Sequence, residues 1–190
     1  MYEDALAAAV ARGDETGLVK LFAAEDLEPP LICWSPSSSF LDIAPLRFLN
    51  DYWQGLPRAD DGLPLAGAVE AMEMKPALGF IMLLDVLNEG EDFRYRVYGS
   101  RIARQSGFDM TGRRTSEIGS SNYVSTYFLC MYRAAMIRRE AVYTRHNPPP
   151  HVSVKTWDRL ALPLVSPEGQ IVRLLVGNVP GEWRSVSGLA

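Results

Sequence analysis

Apolar and polar residues alternate with a period of two from Phe93 to Val97 (FRYRV), and at Gly99 this gives way to a short helical spacing that ends at Gly107. A second apolar run precedes it, Gly79 to Leu87 (GFIMLLDVL), and Asn88-Glu89-Gly90-Glu91-Asp92 between the two has the composition of a tight loop. The pair reads as a β-hairpin feeding short helices. Residues 122–139 then repeat apolar positions on one side, Val124, Tyr127, Phe128, Met131, Ala134 and Ala135, while Arg133, Arg138 and Arg139 gather toward the carboxyl end, where they complement the helix dipole. Three strand-like segments follow: 141–145, 156–165 and 171–179. The last two flank Ser166-Pro167-Glu168-Gly169, a reverse-turn signature.

The residues before the hairpin are organised differently. Residues 2–11 are Ala-rich and helix-favouring, and Asp14 is placed to cap a second short helix over 15–24 with Leu18, Leu21 and Phe22 along one stripe. Three prolines and a serine cluster break every periodicity over 26–40, which predicts a linker or draped loop and a domain boundary, so that 1–41 form an extension and 42–190 the main domain. Over Asp42–Leu56 the apolar residues Ile43, Leu46, Leu49, Tyr52 and Trp53 recur at helical spacing, predicting an amphipathic helix that packs on the sheet. Pro57–Pro64 reads as a loop and Leu65–Met74 as a further helical turn or two. The predicted fold class is α+β: a five-stranded antiparallel sheet with helices on one face, the long helix among them, plus the helical extension.

At 190 residues, 47% of them hydrophobic, the chain is long enough to bury one good core. No apolar run reaches the roughly 18–20 residues of a membrane span, and the amino terminus lacks a basic start and an apolar core, so a cytoplasmic location without membrane contact is expected. Residues 1–93 hold 5 Lys and Arg against 17 Asp and Glu, whereas residues 94–190 hold 14 against 6. Such a split lets the halves meet with complementary fields or gives a basic face to an anionic partner. No helix-turn-helix, zinc-finger or RNP spacing is present, and nucleic acid is not an expected partner. Cys33 and Cys130 form no paired motif and read as plain thiols.

The order of several short motifs resembles the standalone bacterial members of the PAS superfamily, a divergent subtype, over about Leu46–Val179. The matching residues are Tyr52-Trp53, Pro57-Arg58, Leu84-Asp85, Arg96-Val97-Tyr98-Gly99, Gly107-Phe108-Asp109-Met110-Thr111-Gly112 and Leu162-Pro163-Leu164. Ser100 stands where the subtype often has Thr, and the first 40 residues lie outside the match. The resemblance implies a sensory or regulatory module with an apolar cavity between sheet and long helix that either takes a small ligand or cofactor, here a small apolar or anionic molecule, or is filled with side chains, and a signal handed to a protein partner. Too few residues follow Val179 for an output domain, so any output is expected in trans, and homodimerisation through helix and outer sheet face is expected as well.

Strand alternation and the helix stripe nominate Ile81, Leu83, Tyr95, Val97, Tyr127, Met131 and Leu174 as cavity lining. A slip of one residue would invert the strand members. In one register Arg94 and Arg96 face outward and are solvated or paired with acidic residues; in the other an arginine enters the cavity to anchor a carboxylate or phosphate, and Arg96 is named on that account. Asp109-Met110-Thr111-Gly112 reads as a structural turn.

No cofactor or metal is expected. The segment 101–107 lacks the cysteine of flavin photoreceptors of the superfamily, and 122–139 lacks a haem-ligating histidine. His146 and His151 read as exposed loop residues and make a poor zinc pair. Nucleophile elbow, phosphate loop, dinucleotide fingerprint and paired-histidine zinc motif are absent, and Ile118-Gly119-Ser120-Ser121 lacks the second glycine of a nucleophile turn. A non-enzyme is expected. Its enzymatic rival is a small cone-shaped isomerase or dehydratase in which Asp85 or Asp158 is made basic by an apolar pocket.

Overall fold

The computed structural model describes residues 2–118, 122–150 and 152–184; His151 and the glycine and serines at 119–121 fall outside the described residues. The order of elements is α1 (Tyr2–Ala11), α2 (Thr16–Ala23), β1 (Leu31–Trp34), α3 (Ala44–Gly55), β2 (Ile81–Leu87), β3 (Asp92–Tyr98), α4 (Ser100–Ser106), α5 (Asn122–Arg138), β4 (Val142–His146), β5 (Trp157–Val165) and β6 (Ile171–Pro180). One sheet of six strands, in the order β1-β4-β5-β6-β2-β3, holds every pairing antiparallel.

Two expectations change here. The segment 26–40 is not all loop, because Leu31–Trp34 pairs with Val142–Arg145 and supplies the sixth strand at one edge. Helices also cover both faces rather than one. On the first face α1, α2 and α5 bury Phe22, Tyr127, Cys130, Met131 and Ala135 against Met82, Leu84, Phe93, Tyr95, Ala161, Leu174 and Val176. On the second, α3 seats Leu46, Leu49 and Trp53 on Ile81, Leu160, Leu162, Leu164 and Leu175. The sequence sign of this is the near-continuous apolar character of the strands: all nine residues of β5 are buried, as a strand covered on both sides requires.

The resemblance motifs hold this frame together. Gly177 lies under Leu46 and Leu49, with no room for a Cβ (2.8 Å from Leu49 Cδ1), so α3 can approach β6 closely. β4 begins opposite Ala161, and the edge of β5 is next met at Val165, whose N–H donates to the Pro64 carbonyl at 2.9 Å. Pro163 therefore forfeits no ladder bond there, and its carbonyl accepts from the Trp53 indole N–H at 2.8 Å. Arg58 lies 5.3 Å over the Trp53 ring and donates to Gln54 O at 3.0 Å. Tyr52 Oη accepts the Glu70 N–H at 2.8 Å. A Cβ on Gly99 would fall on the carbonyl oxygen of Gly79 and within 2.9 Å of that of Ile81, which closes the β3–α4 junction to any other residue. Asp109 Oδ1 accepts from the Thr111 N–H and hydroxyl, and Gly112 has φ +82°, the turn expected of them.

The acidic and basic halves of the chain meet within the molecule. Asp85 takes Arg94, Arg96 and Arg173 at 3.0–3.3 Å, Arg133 reaches Asp4 at 3.0 Å, and Arg139 pairs with Asp61. Arg133 also donates to the Gly90 carbonyl at 2.7 Å, tying α5 to the β2–β3 turn. The amino-terminal helices thus lie on α5 of their own chain, and α3 occupies much of the outer sheet face. Among the described residues no helix is long and apolar enough to cross a membrane.

Candidate functional site

A cavity of about 210 Å³ opens between the first sheet face and the helices, toward the end of the sheet where β4 stops and β5 begins. Its floor is built by strand alternation. Thr144 and His146 of β4, Trp157 and Arg159 of β5, and Asn178 of β6 all point to the α5 side, with Thr144, Arg159 and Asn178 directly opposite one another across three adjacent strands. The roof is Tyr123, Val124 and Phe128 from the first half of α5, together with Ile102, Gln105 and Ser106 of α4. Tyr98, Phe108, Glu25, Val152 and two prolines, Pro148 and Pro149, form the remaining wall and mouth.

The floor is polar and incompletely partnered. Arg159 is 6% exposed, His146 5% and Asn178 3%. Arg159 Nε donates to Asn178 Oδ1 at 3.3 Å, and its guanidinium carbon lies 3.5 Å from the Phe128 ring centroid and 5.9 Å from that of Tyr132. Among the described residues no carboxylate lies within ion-pair distance of it. Arg159 Nη1, His146 Nδ1 and Gln105 Nε2 are buried with no hydrogen-bond partner. Burial pushes the His146 imidazole down to about 3 and the nearby Arg159 charge adds to that, so the ring is neutral at ordinary pH. Buried polar groups are normally paired, and a buried guanidinium most of all. Three unpartnered buried nitrogens thus stand together beside an open cavity.

The residues nominated from sequence divide between the two faces. Tyr95, Tyr127, Met131 and Leu174 belong to the core beneath α5, adjacent to the cavity rather than in its wall. Ile81 and Leu83 point to α3 instead, and Met82 and Leu84 take the α5 side in their place. With both faces of β2 apolar, alternation carries no signal that could fix the register. Val97 is 40% exposed because β3 bulges: Leu84 is opposite Tyr95 but Leu83 is opposite Val97, which leaves Arg96 as an extra residue and passes the inward position from 97 to Tyr98. Arg96 faces outward and pairs with Asp85 at 3.0 Å, so the outward register holds for it. His146, expected in an exposed loop, is the last residue of β4 and buried.

The cavity wall itself went unnamed in sequence. Its trace is a polar residue inside an apolar strand, Arg159 in WDRLALPLV and Asn178 in IVRLLVGNV, but Asp158 and Arg173 carry the same trace and face the other way. The two candidate carboxylate bases are both engaged. Asp158 accepts from Arg145 Nε at 2.6 Å and from the Tyr143 hydroxyl. At Asp85 burial pushes the carboxyl up, but hydrogen bonds from Arg96 and Arg94 and the charges around it outweigh that, and the net displacement is below the ordinary carboxylate value. Asp85 is therefore not the raised-pKa carboxyl that a pocket base requires. Among the described residues no group of three or more metal-ligating side chains comes together. Cys130 is buried, its thiol pushed up to about 12 by desolvation.

No family model matches the chain, and no curated protein matches it. Among solved structures it is similar to one described as the structure of an RNA-binding Light-Oxygen-Voltage receptor, with a TM-score of 0.42 and 14% identity over 66% of this chain and 36% of that one. The chain therefore spans about a third of the length of that structure.

Proposed function

We propose that this protein is a PAS-like sensory or regulatory module, non-enzymatic, which binds a small ligand in the cavity under α4 and α5 and passes the occupied state to a protein partner in trans. The observation that carries the reading is the cavity floor: buried, polar, and holding an arginine and a histidine each with a nitrogen that has no hydrogen-bond partner. The strand order β4-β5-β6-β2-β3, with short helices and one long helix between β3 and β4, supports the plan implied by the sequence motifs. Ligand occupancy has a direct route to the surface, because Phe128 and Val124 are on α5, and α5 carries α1 on its outer side through the Arg133–Asp4 pair. The same helix pair is the surface we assign to a second copy or another partner, since α3 already covers much of the other face.

Native mass spectrometry of the purified full-length chain tests this. The expected result is a protein-plus-small-molecule species that is absent from a Val124→Trp variant, whose indole fills the cavity from the α5 side. An identical bare mass for both proteins, with each still folded by circular dichroism, would remove the ligand-binding reading.

A further inference from the structure

Three properties of the cavity specify the chemistry of its occupant. The first is charge. Arg159 carries one positive charge into a site with no carboxylate to meet it, and His146, the other titratable group of the floor, adds none. A neutral ligand would leave that charge as unmatched as before, and a dianion would leave a surplus negative charge in the same low-dielectric place. Glu25, exposed at the mouth, is a further reason against a second negative charge. One negative charge balances the site.

The second property is the direction of the free donors. Asn178 spends its carbonyl oxygen on Arg159 Nε, which leaves its amide N–H groups for an acceptor. Gln105 Nε2 is likewise a donor without a partner. A guanidinium, two amides and an imidazole around one space present donors on several sides, a pattern matched by a planar carboxylate with two acceptor oxygens. The third is size and wall. About 210 Å³ exceeds by a modest margin the ~150 Å³ cavity known to accept a benzene molecule. Phe128, Tyr98, Trp157, Ile102 and Val124 give it aromatic and aliphatic sides.

We infer that the cavity takes a small monocarboxylate with an apolar body about the size of one aromatic ring, its carboxylate on Arg159 between Asn178 and His146 and its ring among Phe128, Tyr98 and Trp157. This rests on the ligand-binding reading above and adds the class of ligand. The stacking of the guanidinium on Phe128 serves it twice: it holds Arg159 in place before the ligand arrives, and it couples the bound anion to α5.

Isothermal titration calorimetry of the full-length protein with benzoate, benzamide and phenyl phosphate separates the possibilities. Benzoate is expected to bind at least about tenfold more tightly than benzamide, the worth of a hydrogen bond to a charged group, and more tightly than phenyl phosphate. Arg159→Gln is expected to erase the preference for benzoate over benzamide. Asn178→Asp, which places a carboxylate of the chain itself beside Arg159, is expected to weaken benzoate binding by the same factor or more while the fold is kept. Equal affinities for benzoate and benzamide, or benzoate binding that survives Arg159→Gln, would overturn the anion assignment and leave the ligand-binding cavity standing. Tighter binding of phenyl phosphate would overturn the single-charge argument. Failure of all three probes on the wild-type protein counts against the inference and the cavity reading together.

Discussion

Both faces of the sheet are covered by apolar side chains, but the polar groups buried with them are satisfied to different degrees. On the α3 face the large polar side chains find partners in the chain, Trp53 at Pro163, Asp158 at Arg145 and Tyr143, and Asp85 at three arginines, while Asn50 Oδ1 is left without one. On the α5 face, at the end where the cavity lies, an arginine, a histidine and a glutamine keep atoms with none. A largely bonded face is a frame; the face covered by α5 and hollow at one end carries the cost of several buried polar atoms without partners.

The sharpest way to break the comparison is at the frame. Trp53→Ala removes the largest anchor of α3 and orphans the Pro163 carbonyl, and we expect a loss of about 3–5 kcal/mol in urea unfolding. A loss under about 1 kcal/mol would mean that α3 is a passenger. Gly99→Ala drives a Cβ into two backbone carbonyls that no side-chain rotation can move, and a loss of about 3 kcal/mol is expected from the same measurement.

The cavity face responds to pH in the histidine range, above the carboxylate range in which Asp85 of the frame is protonated. His146 has a folded pKa of about 3 against an ordinary value of 6.5, so the unfolded chain takes up a proton below pH 6.5 that the folded chain refuses. Its contribution is complete above that pH and is lost on acidification at about 1.4 kcal/mol per unit. Urea midpoints at pH 7.5, 6.5 and 5.5 should fall faster for the wild type than for His146→Gln between the last two; parallel lines would show that the imidazole is reached by water. The smallest effect runs in the opposite direction. Arg159→Met exchanges a buried charge without a carboxylate for an apolar chain of similar length, and thermal unfolding should show a gain of about 1 kcal/mol after the lost stacking on Phe128 is set against it. A clear destabilisation would mean that Arg159 is already satisfied without a ligand.

Much of the fold was legible along the chain because its signals are local. The β2–β3 hairpin, the stop of α4 at Gly107 with φ +81° and the long stripe of α5 follow from spacing and turn chemistry alone. Three of the nominated strand residues, Ile81 and Leu83 in β2 and Val97 in β3, do not point to the α5 side, for reasons that are equally physical. In β2 four successive apolar residues, Ile81–Leu84, serve two covered faces and erase the period-two signal. In β3 the extra residue at Arg96 shifts the phase by one, and a bulge leaves no mark in composition. β1 was hidden in a segment of Pro and Ser that forms a strand only because β4 offers it an unpaired edge.

Most helices, their amphipathic stripes, the β2–β3 and β5–β6 hairpins and the residues that turn the chain are fixed by interactions within a few positions. Which of several polar strand residues would be left inside without a partner was decided only in three dimensions. Asp158 and Arg159 are neighbours in an apolar strand and point to opposite faces, and the partners that satisfy the first or fail the second come from strands brought alongside by the fold. Whether a buried charge is paired is a property of its surroundings, which adjacency along the chain does not encode.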